Sequence, residues 1–190
     1  RHWMEISVDA YTLANCVLAA HSLGNEEAES WGVEKLKEVA IVDGNSAHWS
    51  VEGATPFYGW GLAGQVETTA QVLRALATVN GPGNKRALQP LIDSGLGWLM
   101  RNKDEAGMWR TSQATVAVYR ALERLISVTG GREGGKVAVA VNGKLASTLD
   151  LPESAKVSSP LRVDLTGKLK PGGNSIEVIK EEGKGYTTAQ

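Results

Sequence analysis

The side chains able to do chemistry are few and scattered. One cysteine, Cys16, lies in an apolar run with Leu13, Val17 and Leu18, and no Lys, Arg or His falls within four residues of it to lower its pKa. Such a thiol is expected to be an inert, buried small hydrophobe rather than a nucleophile. His2, His21 and His48 share no ligand spacing such as i, i+4, and with a single cysteine they make a poor metal set. No metal and no cofactor is expected, and His48 reads as a side chain packed beside Trp49 in a hairpin. The stretch Gly59-Trp60-Gly61-Leu62-Ala63-Gly64 matches the G-x-G-x-x-G phosphate fingerprint ahead of a helix. That fingerprint needs a buried strand before it, however, and Pro56 interrupts the preceding residues. It also needs an acidic residue about 20 positions on, where Lys85 stands. A close-packed turn is therefore expected. Glu67 is expected in the first turn of its helix, where a carboxylate meets the helix dipole for ~0.3–1 kcal/mol. Thr111 and Ser112 read as the N-cap of a later helix. No Gly-x-Ser-x-Gly, no Asp-x-Asp-Asp and no convincing carboxylate pair is present, so no catalytic residue is expected and the chain reads as non-enzymatic. Six Trp stand against one Phe. Trp49, Tyr58 and Trp60 fall in a Gly-rich stretch and are the candidates for contact with a protein partner, although packing is the commoner role of such residues.

The chain has 190 residues, 42% of them hydrophobic, enough for one large or two small cores. Lys+Arg total 20 and Asp+Glu 21, a net charge of −1 that offers no electrostatic case for a nucleic-acid partner. The richest apolar run, Tyr11 to Ala20, carries Asn15 and is shorter than the ~20 residues a membrane span requires. The chain starts at Arg1 rather than Met and shows no signal peptide; a segment cut from a longer protein accounts for both, so neither speaks to export.

Helical periodicity predicts five helices, over about 5–22, 26–39, 65–79, 84–102 and 111–128. The first, third and fifth are apolar nearly all round and belong inside; the second and fourth have a wet face. Residues 40–64 show no helical period and read as a long hairpin or loop insert. Thr69-Ala70-Gln71-Val72-Leu73-Arg74-Ala75-Leu76 resembles Thr115-Val116-Ala117-Val118-Tyr119-Arg120-Ala121-Leu122 at an offset of 46 positions, so one repeat is an inner plus an outer helix. Stacked pairs of this size build a solenoid or close into a double-walled ring. Thr129 to Gly135 reads as a linker. Beyond it the period becomes two. Val137, Val139 and Val141 lead into the hairpin signal Asn142-Gly143, and Leu145, Ser147, Leu149 and Leu151 continue on the return strand. Further strands are expected over 161–165, from Ser175 to Lys180 and from Tyr186. The fold class is mainly α with a β segment: a partial α/α toroid over 1–130, then a small antiparallel β-sandwich half over 136–190.

Several stretches carry a family resemblance along nearly the whole chain. They are Ala10-Tyr11-Thr12-Leu13-Ala14 with the Gly24-Asn25 helix end, Ser46-Ala47-His48-Trp49, Val66-Glu67-Thr68-Thr69-Ala70-Gln71-Val72-Leu73, and Gly97-Trp98-Leu99. The most specific is Gly107-Met108-Trp109-Arg110-Thr111-Ser112-Gln113-Ala114-Thr115, in which Arg110 and Ala114 depart from the usual Ser and Asp. Together they resemble the C-terminal part of the thioester domain of alpha-macroglobulins and complement thioester proteins. Lys136 to Gln190, with Gly183-Lys184-Gly185-Tyr186, resembles the returning half of the CUB-like domain into which that domain is inserted.

The resemblance implies a secreted or periplasmic protease trap or complement opsonin, in which an internal Cys–Gln thioester acylates the attacker. The family's thioester cysteine has Gln three residues on. Cys16 is followed there by Ala19, so it is not that cysteine, and the motif is expected ahead of Arg1 or absent from the parent. The implied function is a non-catalytic scaffold fragment of an alpha-macroglobulin-like endopeptidase inhibitor. Its partners would be proteases, through the parent, and the rest of the parent chain, with self-association of the fragment through the first helix near Tyr11 and Leu18. The alternatives are an α/α-toroid enzyme, a terpenoid cyclase or a polysaccharide-active enzyme, and a plain protein-recognition module. The enzyme reading needs acid clusters in the ring bore, where the inner helices offer only scattered acids such as Asp9 and Glu67.

Overall fold

A computed structural model describes residues 9–80, 87–129, 135–151 and 161–182. The chain divides into two compact units, 1–128 and 129–190.

In the first unit, α1 runs Ala10–Ser22 and α2 runs Glu26–Glu38. Asp9 caps α1 by accepting from the Thr12 backbone N–H at 3.0 Å. Gly24 ends it in the left-handed region (φ 66°), and Asn25 N–H donates to the Ala20 carbonyl at 2.9 Å, closing a Schellman turn. The same Asn25 then caps α2, its side chain accepting from Ala28 N–H at 3.0 Å. Acid in the first turn of α2 (Glu26, Glu27, Glu29) and Lys35 and Lys37 in its last both suit the helix dipole.

The expected insert begins as a short antiparallel hairpin, β1 (Ile41–Asp43) and β2 (Ser46–His48), and continues irregularly to Trp60. Helix α3 (Gly61–Val79) starts four residues earlier than its periodicity predicts, so Glu67 lies in the second turn and is buried. The dipole reading of Glu67 is thereby replaced by a hydrogen-bonding one. Helices α4 (Gln89–Arg101) and α5 (Ser112–Thr129) follow. Pro90 sits in the first turn of α4, where its missing N–H costs nothing. Thr111 caps α5, its hydroxyl accepting from Ala114 N–H at 3.0 Å.

Helix α3 is buried along almost its whole length, whereas α2 and α4 each bury one stripe; α1 and α5, expected to be buried nearly all round, also keep an exposed side, with Cys16 on α1 and Val116, Tyr119 and Ile126 on α5. Each outer helix approaches its neighbour through a glycine at its seventh residue. A Cβ on Gly32 would meet Val17 Cγ2 of α1 at 2.6 Å, and one on Gly95 would meet Leu73 Cδ2 of α3 at 2.7 Å.

The second unit is a three-stranded antiparallel sheet in the order β4-β3-β5, with β3 at Gly135–Val141, β4 at Lys144–Leu151 and β5 at Ile176–Glu182. Asn142 (φ 51°) and Gly143 (φ 74°) both take the left-handed conformation that a two-residue hairpin needs. One expected alternation fails. Val139 pairs with Ser147 but Ala140 with Leu145, so Ala146 is an extra residue on β4. That bulge turns Leu145 to the opposite face from Ser147 and Leu149 and leaves it exposed. Lys168 Nζ donates to the Ala146 carbonyl. Residues 161–165 are not a strand. β4 and β5 already occupy both edges of β3, and Val163 and Leu165 are half-buried without joining the ladder. The strand expected from Tyr186, like His2 and Lys85, lies outside the described residues.

Candidate functional site

The charged centre of the helical unit is Glu67. Its side chain is 2% exposed and Oε2 accepts from Thr55 Oγ1 at 2.5 Å. The same Thr55 oxygen accepts from Gly59 N–H at 3.0 Å. Thr55 N–H donates to the Gly59 carbonyl at 2.8 Å and Tyr58 N–H to the Thr55 carbonyl at 2.9 Å. Residues 55–59 thus form a tight loop seated on a buried carboxylate.

This seating explains the glycines of the phosphate-like motif. A Cβ on Gly59 would lie 2.5 Å from Glu67 Oε1, and one on Gly64 would lie 2.6 Å from the Gly59 carbonyl. Gly61 adopts φ 55° at the entry to α3. The motif is a close-packed turn, and the Glu67 side chain fills the space beside Gly59 that a phosphate would need.

The loop holds its aromatics outward. Phe57 is exposed, Tyr58 is 87% exposed at φ 62°, and Trp60 is 76% exposed. Trp49, grouped with Tyr58 and Trp60 as a contact candidate, is instead wholly buried and cannot meet a partner. Its indole N–H donates to the Leu36 carbonyl at 2.7 Å and its backbone N–H to Thr69 Oγ1 at 3.0 Å. Leu36 lies in the last turn of α2, where carbonyls have run out of intrahelical donors, so the indole acts as a side-chain cap.

Tyr11 of α1 lies close enough to Glu67, Arg74 and Arg120 to feel their charges. Its phenol pKa is raised, chiefly by burial and then by the Glu67 charge, with Arg120 and Arg74 opposing. Arg74 and Arg120 are 46 positions apart, the repeat offset, which was the one available sign that they share a level. Arg124 Nε donates to Thr78 Oγ1 at 2.9 Å, joining α5 to α3 at another pair of repeat-related positions. Gln71 Nε2 donates to Asn15 Oδ1 at 2.8 Å, joining α3 to α1.

The remaining candidates stand apart. His48 does not pack flat on its neighbour Trp49. It stacks on Trp98 of α4, ring centroids 4.7 Å apart and planes 8° from parallel, and burial holds its pKa below the usual imidazole range. Cys16 is exposed on the outer side of α1, against the expectation of burial, because Leu13, Ala14 and Val17 take the inward positions. His21 bonds Glu29 Oε2 at 2.8 Å. No three His, Cys, Asp or Glu side chains cluster as metal ligands among the described residues, and none of the described helices is long and apolar enough to cross a membrane. The partner of Glu67, Thr55, was invisible to motif reading, since a lone threonine ahead of Pro56 carries no spacing signal.

No curated protein matches the chain. A family model described as A-macroglobulin TED domain matches residues 3–125, well over half of the 190 residues and nearly all of the helical unit. The chain belongs to the A-macroglobulin TED-domain family, the alpha-macroglobulin and complement thioester-domain family.

Proposed function

We propose that this chain is a non-catalytic scaffold segment of an alpha-macroglobulin-like protein that traps endopeptidases. The family match over 3–125 carries the reading. The one cysteine, Cys16, is followed three residues on by Ala19 rather than by the glutamine a thioester needs, which supports a structural part for this segment. On this reading residues 1–130 are an arc of an α/α ring, supported by the alternation of buried α3 with half-exposed α2 and α4. Residues 136–190 are a CUB-like β segment, the protein is extracellular or periplasmic, and it meets proteases through the parent chain. Self-association of the isolated chain belongs to the same reading. Tyr11 and Leu18 on α1 are half-buried, and α5 turns Val116, Tyr119 and Ile126 outward.

Two measurements test it. The native chain should show one titratable thiol and incorporate no methylamine; incorporation would mean a thioester and defeat the non-catalytic assignment. The parent protein, mixed with an endopeptidase, should leave cleavage of small peptides intact while shielding large substrates. Equal cleavage of both would remove the trapping role.

A further inference from the structure

From its second turn on, helix α3 opens to solvent along one line. Between Val66 and Val79 every residue is buried except Gln71, Arg74 and Thr78, which the spacing i, i+3, i+7 places on a single face. Neighbouring helices reach that line at both of its ends. Gln71 Nε2 donates to Asn15 Oδ1 of α1 at 2.8 Å, and Asn15 Nδ2 in turn donates to the Tyr11 carbonyl at 2.9 Å. Thr78 Oγ1 accepts from Arg124 Nε of α5 at 2.9 Å and donates to the Arg74 carbonyl at 2.8 Å. Arg120 lies one turn before Arg124 on α5 and matches Arg74 at the repeat offset of 46. The Tyr11 phenol feels the charges of both. Three arginines thus gather where α5 reaches α3.

What the cluster lacks is counter-charge. Among the described residues the ion pairs are His21–Glu29, Lys35–Glu38 and Lys37–Glu34, so none of Arg74, Arg120 and Arg124 has a carboxylate within pairing distance. Arg124 commits its Nε–H to Thr78, and the guanidinium groups of Arg74 and Arg120 make no hydrogen bond among the described residues. Arg74 and Arg124 are half-buried, a setting in which a charged group ordinarily has a partner. Gln71, Asn15 and Thr78 are already bonded to protein groups, so the free chemistry of this face is forked N–H donors, each able to hold a carboxylate by two bonds. Glu123 is exposed on α5, three residues after Arg120 and in no ion pair with it. A continuous line of phosphates or sulfates laid along α5 would meet this like charge, whereas separate carboxylates avoid it. Arg120 and Arg124 stand four residues apart, a rise of about 6 Å. We propose that the Arg74–Arg120–Arg124 face docks an acidic protein segment that presents two carboxylates one helical turn apart.

The native chain titrated with an alanine-rich helical peptide bearing glutamates at i and i+4, followed by calorimetry, tests this. Saturable binding is expected, several-fold weaker at raised ionic strength. It should weaken about tenfold in Arg74→Gln and in Arg120→Gln. Arg120→Lys keeps the charge but loses the fork and should fall between. Arg120 is exposed, so its variants probe the face with the fold retained, as circular dichroism should show. Lys37→Gln, on α2, should bind as wild type. The proposal is overturned if the wild-type chain does not saturate, if a peptide with glutamine at both positions binds equally, or if Arg74→Gln and Arg120→Gln both bind as wild type. It is overturned equally if the peptide does not bind while an oligonucleotide does, or while sedimentation shows self-association that Arg120→Gln abolishes, which would give the face to a second copy of this chain.

Discussion

The indole N–H of Trp109 donates to the carbonyl of Leu99 at 2.7 Å, and Trp49 makes the same bond to Leu36 at the same distance. In each case the backbone N–H of the tryptophan goes to a threonine hydroxyl of the next inner helix, Thr115 at 3.1 Å and Thr69 at 3.0 Å. Leu36 and Leu99 are both the eleventh residue of a thirteen-residue outer helix. The two helix pairs are thus copies of one unit, in which a buried tryptophan caps the outer helix and ties it to the inner one.

The tie predicts a matched loss in both copies. Trp49→Phe and Trp109→Phe each keep most of the apolar bulk but leave a buried carbonyl short of a donor, for about 1–3 kcal/mol. Alanine at either site adds a cavity, for about 3–5 kcal/mol. Urea unfolding followed by helical circular dichroism measures both. A phenylalanine variant as stable as wild type would mean the indole bond contributes nothing net.

Glu67 is predicted to hold the aromatic loop rather than to react. Glu67→Leu strands the Thr55 hydroxyl and should cost about 1–3 kcal/mol, with faster proteolysis between Phe57 and Trp60. Glu67→Gln can still accept from Thr55 and should lose less. Limited proteolysis reads the loop and thermal denaturation the fold. Equal loop cleavage in wild type and Glu67→Leu would show that the carboxylate does not seat it.

His48 sets a pH dependence whose sign follows from its depressed pKa. The unfolded chain protonates near pH 6.5 and the folded one only below that. Between the two values the unfolded state binds the extra proton, so folding stability is present above about pH 6.5 and falls as pH drops toward the folded value. His48→Phe keeps the stack on Trp98 and should flatten this slope. Urea midpoints measured across pH 5 to 8 check it; a slope of opposite sign, or one unchanged in the variant, rejects the assignment.

The sequence carried the inner helices well and the sites poorly, for a physical reason. Buried helices are written in periodic apolar residues, so α1, α3 and α5 and the Thr69–Leu76 and Thr115–Leu122 match were legible. The rest of the repeat was hidden. Gly32 and Gly95, like Leu36 and Leu99, are 63 positions apart, while Trp49 and Trp109 are 60 apart, because the outer-to-inner connections differ in length. Two tryptophans with opposite fates, Trp49 buried and Trp60 exposed, are identical to a composition argument. They differ only in whether an outer-helix carbonyl and an inner-helix threonine wait for them. Cys16 misled for a related reason, since an apolar neighbourhood in sequence does not say which side of a helix a residue takes. The Ala146 bulge, one extra residue in an otherwise regular alternation, leaves no compositional trace.

The helix-pair repeat makes its sharpest prediction at Thr68. Its hydroxyl is wholly buried and is the buried side-chain polar atom left without a hydrogen-bond partner among the described residues. A buried hydroxyl without a partner carries a desolvation cost of about 1–3 kcal/mol that nothing offsets. At the offset of 46 that relates Thr69 to Thr115, the residue matching Thr68 is Ala114, itself fully buried. One copy of the unit therefore already places an apolar side chain there. Thr68→Val keeps the volume and removes the hydroxyl, and it should raise stability by about 1 kcal/mol. Thr68→Ala leaves a small void that works against the same gain and should fall near neutral. The neighbouring Thr69→Val, which strands the Trp49 backbone N–H, should destabilise by about 1–3 kcal/mol. Urea midpoints of the three variants, compared at one pH, decide the matter. A Thr68→Val variant less stable than wild type would show that the hydroxyl has a partner in solution, a bound water being the first to look for.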